Sequence, residues 1–118
     1  MKGIIGDKAK IANIIEAIGY IELSINGHTY ETFISNLLLK TSVVKWLEII
    51  GESAKHLTEE TKSKYYEIDW ENMIGLRNIL AHQYFKIKYA IVWDVATIFI
   101  KELKPKIDKI HIDLNNKN

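Results

Sequence analysis

Residues 36 to 57 read NLLLKTSVVKWLEIIGESAKHL. Leu39, Val43, Leu47, Ile50, Ala54 and Leu57 recur every three or four residues, the repeat of one face of an α-helix rather than the alternation of a strand. Trp46 stands beside that stripe, and Gly51 lies within it, so a second helix has a place to approach where no Cβ intervenes. The segment predicts a long helix from about Asn36 to about His56, buried along one side.

The same reading extends in both directions. Upstream, Ile11, Ile14, Ile15, Ile18, Ile21 and Ile25 keep helical spacing. Asp7 is placed to cap that helix and Asn26-Gly27 to stop it. Thr29 precedes a short helical turn over Tyr30–Phe33. Downstream, Thr58-Glu59-Glu60 restarts a short helix that fades at Tyr65-Tyr66. Asp69 then caps a helix from Trp70 to about Gln83, with Glu71 near its positive end. Lys86 to Lys88 reads as a connection. A last long helix begins near Tyr89 and turns Val92, Ala96, Phe99 and Leu103 inward, until Pro105 kinks it or opens a final short helix. The closing Asn115–Asn118 reads as frayed. The expectation is an all-α fold, an antiparallel bundle of four long helices plus short helical pieces, built as a single domain over residues 1–118.

Composition agrees and excludes several classes. The chain has 118 residues, 47% of them hydrophobic and 26% charged, a balance that supports one core and not disorder. One proline and six glycines leave few helix breakers. The absence of cysteine removes disulfides, thiol nucleophiles and thiolate metal sites, and points to a reducing compartment. Sixteen basic residues oppose fifteen acidic ones, so any nucleic-acid contact is local and not a general basic field. The start, MKGIIGDKAK, is too charged for the apolar part of a signal peptide, and the most apolar window, Tyr89 to Ile100, contains Asp94. A cytoplasmic protein with no membrane partner is the expectation.

Bundles host unrelated functions, so the chemistry rests on a site. Only one of the sixteen basic side chains outside histidine is an arginine, Arg77. A planar guanidinium offers the two parallel hydrogen bonds to a phosphate that lysine lacks. It opens the run Arg77-Asn78-Ile79-Leu80-Ala81-His82-Gln83-Tyr84. At roughly 100° per residue, Tyr84 falls about 20° behind Arg77, Asn78 about 100° ahead and His82 about 140° ahead. These polar residues share one broad face bordering the apolar stripe of Met73, Leu76 and Leu80, with Arg77 and Tyr84 at its edge and Asn78 and His82 further out. Taken alone, such a face is most often merely solvated.

The run GLRNILAHQYF (75–85) matches the R-x-x-x-x-H-x-Y signature of the HepT-like branch of the HEPN superfamily. WLEIIGESAKHL (46–57) resembles that family's segment typically reading LEIIGEAAK; IDWENMIGLRN (68–78) resembles its approach to the motif, and YAIVWD (89–94) the start of its last helix. The resemblance covers nearly the whole chain in order. It implies a HEPN-like helical homodimer acting as the toxin of a two-gene toxin–antitoxin system, a metal-independent endoribonuclease paired with an MNT-type nucleotidyltransferase antitoxin. Arg77 and His82 are then the catalytic pair, Asn78 the polar residue that commonly follows the arginine, and Tyr84 the acceptor of AMP. No cofactor and no metal ligand are implied. Lys45 stands where many relatives carry arginine, which would weaken phosphate contacts from that helix, and Ser53 where alanine is usual.

The residues support this chemistry without the family. RNA is cut without a metal when a base takes the 2′-hydroxyl proton and the oxygen attacks the adjacent phosphate, leaving a 2′,3′-cyclic phosphate. Histidine suits such transfers near neutrality, and arginine stabilises charge on the phosphorus-bound oxygens. One chain supplies one such histidine, whereas acid and base roles want two; a two-fold dimer with facing motif helices supplies both.

Glu52, in the middle of an apolar helix, needs a partner, which Arg77 or His82 would provide as support for the site. His28, His56 and His111 read as surface histidines without metal-ligand spacing. Trp46, Trp70 and Trp93 read as core or dimer contacts, Tyr65, Tyr66 and Tyr89 as packing residues, and Lys86 and Lys88 as solvated. The alternative to a nuclease is a non-catalytic partner of a nucleotidyltransferase that binds a nucleotide or positions a substrate. The intact Arg77…His82 spacing favours the nuclease, since nucleotide binding needs no histidine there.

Overall fold

A computed structural model of the protein describes residues 2–83 and 87–116. The elements run α1 (Lys2–Ile25), α2 (Tyr30–Ile34), α3 (Leu37–Lys55), α4 (Glu59–Lys64), α5 (Trp70–His82), α6 (Tyr89–Asp94), a π-helical turn (Val95–Phe99) and α7 (Ile100–Asn115). Helix dominates the described residues, and no strand occurs among them. The all-α expectation is met.

Side-chain caps set the boundaries. Gly27 takes φ +80° just past α1, the left-handed position that an L side chain resists. Thr29 and Thr32 form a reciprocal capping box at α2, and the Asn36, Thr58 and Asp69 side chains each accept the backbone N–H three residues on, at the starts of α3, α4 and α5. Each cap satisfies a backbone donor that the first helical turn leaves without a partner.

Asp7 does something other than what its position suggests. α1 begins at Lys2, so Asp7 lies inside the helix, only 1% exposed. It accepts the Thr58 backbone N–H at 3.0 Å and the Thr58 hydroxyl at 2.7 Å, together with the Thr61 hydroxyl. A buried carboxyl must find donors, and here the donors are the first turn of α4, so Asp7 ties α1 to α4 across the fold.

Along α1, Ile11, Ile14, Ile18 and Ile21 are buried, and they meet Val43, Leu47, Ile50 and Ala54 of α3 and Ile100, Leu103, Ile107, Ile110 and Leu114 of α7 in one core. Burying each of the Ile, Leu and Val side chains contributes about 1.5–3 kcal/mol as an upper estimate. α1 packs on both α3 and α7, while α5 packs chiefly on α3.

At Pro105 the last helix continues, and no new short helix opens there. Proline removes a backbone donor and crowds the carbonyl four residues earlier, yet α7 runs unbroken from Ile100 to Asn115. Pro105 is exposed, and the apolar seam on either side of it stays docked on α1, so packing holds the helix through the missing bond. The widened turn lies upstream, where the Ile100 N–H reaches the Val95 carbonyl five residues back. There Phe99 is partly buried and not fully inward; with Leu47, Ile50, Met73 and Leu76 it lines an apolar cleft of about 320 Å³ between α3, α5 and the π turn.

The aromatic residues mostly pack. Trp70 is buried with its indole N–H donated to the Tyr65 carbonyl at 3.1 Å. Trp46 stacks on Tyr20 at 5.6 Å between ring centres, and Trp93 lies 5.0 Å from Phe33. Tyr65 is buried and donates its hydroxyl to Asp113 at 2.6 Å. Tyr89 is partly buried beside Phe33, with the Lys40 ammonium 4.7 Å from its ring centre. Tyr66 is the exception: two residues past the end of α4, it is 82% exposed.

Candidate active site

α5 is anchored at its start. Asp69 accepts the Asn72 backbone N–H at 3.0 Å and its side-chain amide at 2.6 Å, while Trp70, Met73 and Leu80 are buried. These anchors fix the helix's rotation and hold Arg77 against α3. The contact depends on Gly51: a Cβ there would meet the Arg77 Cβ and come within 2.8 Å of the Met73 carbonyl oxygen. The close approach expected at Gly51 is therefore made by the arginine-bearing helix.

One residue beyond Gly51, Glu52 reaches across. Its Oε2 lies 2.6 Å from Arg77 Nη2, and its Oε1 lies 2.8 Å from His56 Nε2. The Glu52–Arg77 contact is an ion pair without hydrogen-bond alignment, so Oε2, shielded from solvent, has charge compensation but no directed donor. Arg77 Nη1 donates to the Asn78 Oδ1 at 3.0 Å. The hydrogen bond from His56, opposed by partial desolvation and reinforced by Arg77 and Lys55, holds the Glu52 carboxyl below the usual carboxylate range. The Arg77 side chain is 21% exposed, which leaves part of a positively charged planar group facing solvent.

The structure thus joins three of the expected residues, Arg77, Asn78 and Glu52. Of the two partners expected for Glu52, it is Arg77 and not His82 that meets it. His82 stands exposed as the last residue of α5, without a hydrogen bond or ion pair among the described residues. Tyr84, with Phe85 and Lys86, lies outside the described residues. Lys45 is exposed and Ser53 buried. His56 is a surface residue, 54% exposed, but it is also a member of the Glu52 cluster, a role that the sequence reading does not assign to it. The signal is present in the spacing, since residues four apart on a helix stand one above the other. Among the described residues no group of three or more His, Asp or Glu side chains is placed to hold a metal ion, and no helix is long and apolar enough to cross a membrane.

A family model described as HepT-like, ribonuclease HepT-like, matches residues 14–110. The chain belongs to this family. Among HepT-like relatives, the Methanocaldococcus jannaschii protein named "Putative RNase MJ1216" is 36% identical over 111 residues, covering 94% of this chain and 92% of its own. A second from the same organism, "Putative RNase MJ0125", is 36% identical over 109 residues, 90% of this chain and 94% of its own. The Thermococcus cleftensis protein named "Probable ribonuclease HepT" is 32% identical over 103 residues, 87% of this chain and 94% of its own. No solved structure matches the chain significantly.

Proposed function

We propose that this HepT-like chain is a metal-independent endoribonuclease, the toxin of a two-gene toxin–antitoxin system, with Arg77 and His82 as its catalytic pair. The observation that carries the reading is the seating of the only arginine. Arg77 is fixed on one side by Gly51, Glu52 and Asn78 and open on the other, on the same helix as an exposed histidine. An arginine held in this way receives a phosphate without first losing its own side-chain freedom, which is the preorganisation that transition-state stabilisation requires.

In the reaction, one His82 takes the proton of the ribose 2′-hydroxyl, and the oxygen attacks the adjacent phosphorus. Arg77 carries the charge that develops on the phosphoryl oxygens. The P–O5′ bond breaks as the leaving oxygen takes a proton from a second histidine, and the products are a 2′,3′-cyclic phosphate and a 5′-hydroxyl. Two proton-transfer groups come from two copies of the chain, so the active species is a homodimer with facing α5 helices. Ile79, 43% exposed between Asn78 and His82, provides apolar area on that face for a second copy.

Restraint falls to Tyr84. Attack of its hydroxyl oxygen on the α-phosphate of ATP, with loss of pyrophosphate and catalysed by an MNT-type nucleotidyltransferase, would place a phosphodiester charge and a purine beside Arg77, occupying the group that binds RNA. Expression of the chain alone should arrest growth, and co-expression of the transferase should relieve it. Mass spectrometry of the protein incubated with transferase and ATP should show AMP on Tyr84. Tyr84→Phe should stay toxic and escape relief; modification mapped to another residue would refute the assignment.

A further inference from the structure

We propose that His56 is a positioning residue for Arg77, acting through Glu52: by holding one carboxylate oxygen it keeps Glu52 on a single nitrogen of the guanidinium and leaves the remaining donors for a phosphate. The inference deepens the reading above and rests on it for the ligand. A carboxylate beside an arginine ordinarily closes into a paired, two-point contact. That arrangement would consume the fork through which Arg77 is to grip RNA. Here the pairing is incomplete. Oε2 touches Nη2 at 2.6 Å, while Oε1 is turned to His56 Nε2 at 2.8 Å. Because a carboxylate only accepts, Nε2 must carry the hydrogen, whether the ring is neutral or charged.

The other side of the guanidinium is likewise held at one point, Nη1 to Asn78 Oδ1. Of the five N–H donors of an arginine, at least three are then uncommitted. His56 is itself fixed as the C-cap of α3, its backbone N–H on the Ser53 carbonyl at 3.2 Å, one helical turn beyond Glu52. Lys55 adds positive charge near Glu52 but makes no hydrogen bond or ion pair among the described residues, so His56 is the side chain that decides which way the carboxylate faces.

Arg77 being the only arginine, its guanidinium nitrogen signals in an NMR spectrum need no assignment by mutation. Wild type and His56→Gln, which retains a donor, are expected to share one set of Arg77 guanidinium signals, that of a group held at single points by Glu52 and Asn78. In His56→Ala, Glu52 closes on two nitrogens, and the Nη signals shift and exchange more slowly than in wild type. Affinity for a fluorescent, mixed-sequence 2′-deoxy oligonucleotide, which cannot be cut by 2′-hydroxyl attack, is expected to fall roughly fivefold in His56→Ala, the scale of one exposed charge contact. In a Glu52→Gln background the same change should have no further effect.

Unchanged Arg77 signals in His56→Ala would overturn the proposal. So would an equal loss of affinity in the Glu52→Gln background, since His56 would then touch the nucleic acid directly. If Arg77→Ala binds the oligonucleotide as well as wild type does, the nuclease reading fails separately, and the guanidinium signals still decide the role of His56.

Discussion

Gly51→Ala adds one methyl group and is expected to loosen the site and the fold together. The new Cβ would meet the Arg77 Cβ and stand 2.8 Å from the Met73 carbonyl oxygen. The second atom belongs to a helix backbone, so relief requires α5 to move away from α3 as a body. Overpacking costs about 1–3 kcal/mol, and a clash that only a helix backbone can relieve belongs at the upper end, about 2–3 kcal/mol. Against it stands the better helix propensity of alanine, worth up to about 1 kcal/mol, leaving a net loss of about 1–2 kcal/mol. For 118 residues the unfolding entropy is about 0.25 kcal/mol per kelvin near the midpoint, so Tm should fall by about 4–8 °C. The displacement carries Arg77 with it, and RNA cleavage should fall further than stability alone explains. Gly19→Ala is the control: Gly19 is exposed within α1 and its added Cβ would meet nothing within 4 Å, so propensity acts alone and Tm should rise. Thermal unfolding followed by circular dichroism at 222 nm distinguishes the two signs. If Gly51→Ala is as stable as wild type, α5 does not press on α3 at this point and Arg77 is not seated by Gly51.

His82→Ala should lower the rate of RNA cleavage by on the order of 10² or more, as for loss of a positioned acid–base group. Arg77→Lys should fail as well, since a point charge does not reproduce the planar fork; wild-type rates in both would place the activity elsewhere. Tyr65 supplies a pH signature of the fold, because burial first, and then its hydrogen bond to Asp113, push its hydroxyl from the ordinary 10 up to about 12. A pKa raised in the folded state contributes stability that is complete below about pH 10 and is lost as pH climbs towards 12. Denaturant midpoints of wild type should therefore drop across that window, and those of Tyr65→Phe should be lower at neutral pH and flatter above pH 10. An equally steep drop in the variant would mean that another group governs alkaline unfolding.

The elements legible in the amino-acid sequence are those fixed by local rules. The stripe from Leu39 to Leu57, the stop at Gly27, the helix starts after Thr29, near Asn36 and at Thr58, and the cap at Asp69 each depend on residues within one or two turns, and each stands where expected. Asp7 differs from its expected role because a cap and a buried acceptor look alike locally. Its partners, Thr58 and Thr61, lie more than 50 residues away in sequence. At Pro105 local chemistry argues for a kink or a restart, and no restart occurs because the apolar seam that α7 packs against α1 outweighs one missing hydrogen bond. At the site, the need of Glu52 for a cation is legible from its apolar surroundings. That His56 holds it is legible in the four-residue spacing along α3, whereas its contact with Arg77 follows from where α5 docks, which no spacing within either helix reveals.

Metal-independent cleavage centred on Arg77 is tested most directly by incubating the purified protein with RNA, with and without EDTA, beside Arg77→Ala purified identically. Fragments ending in 2′,3′-cyclic phosphate are expected, formed equally in EDTA and absent with Arg77→Ala. Intact RNA with the wild type, or the same fragments from the variant, would contradict it.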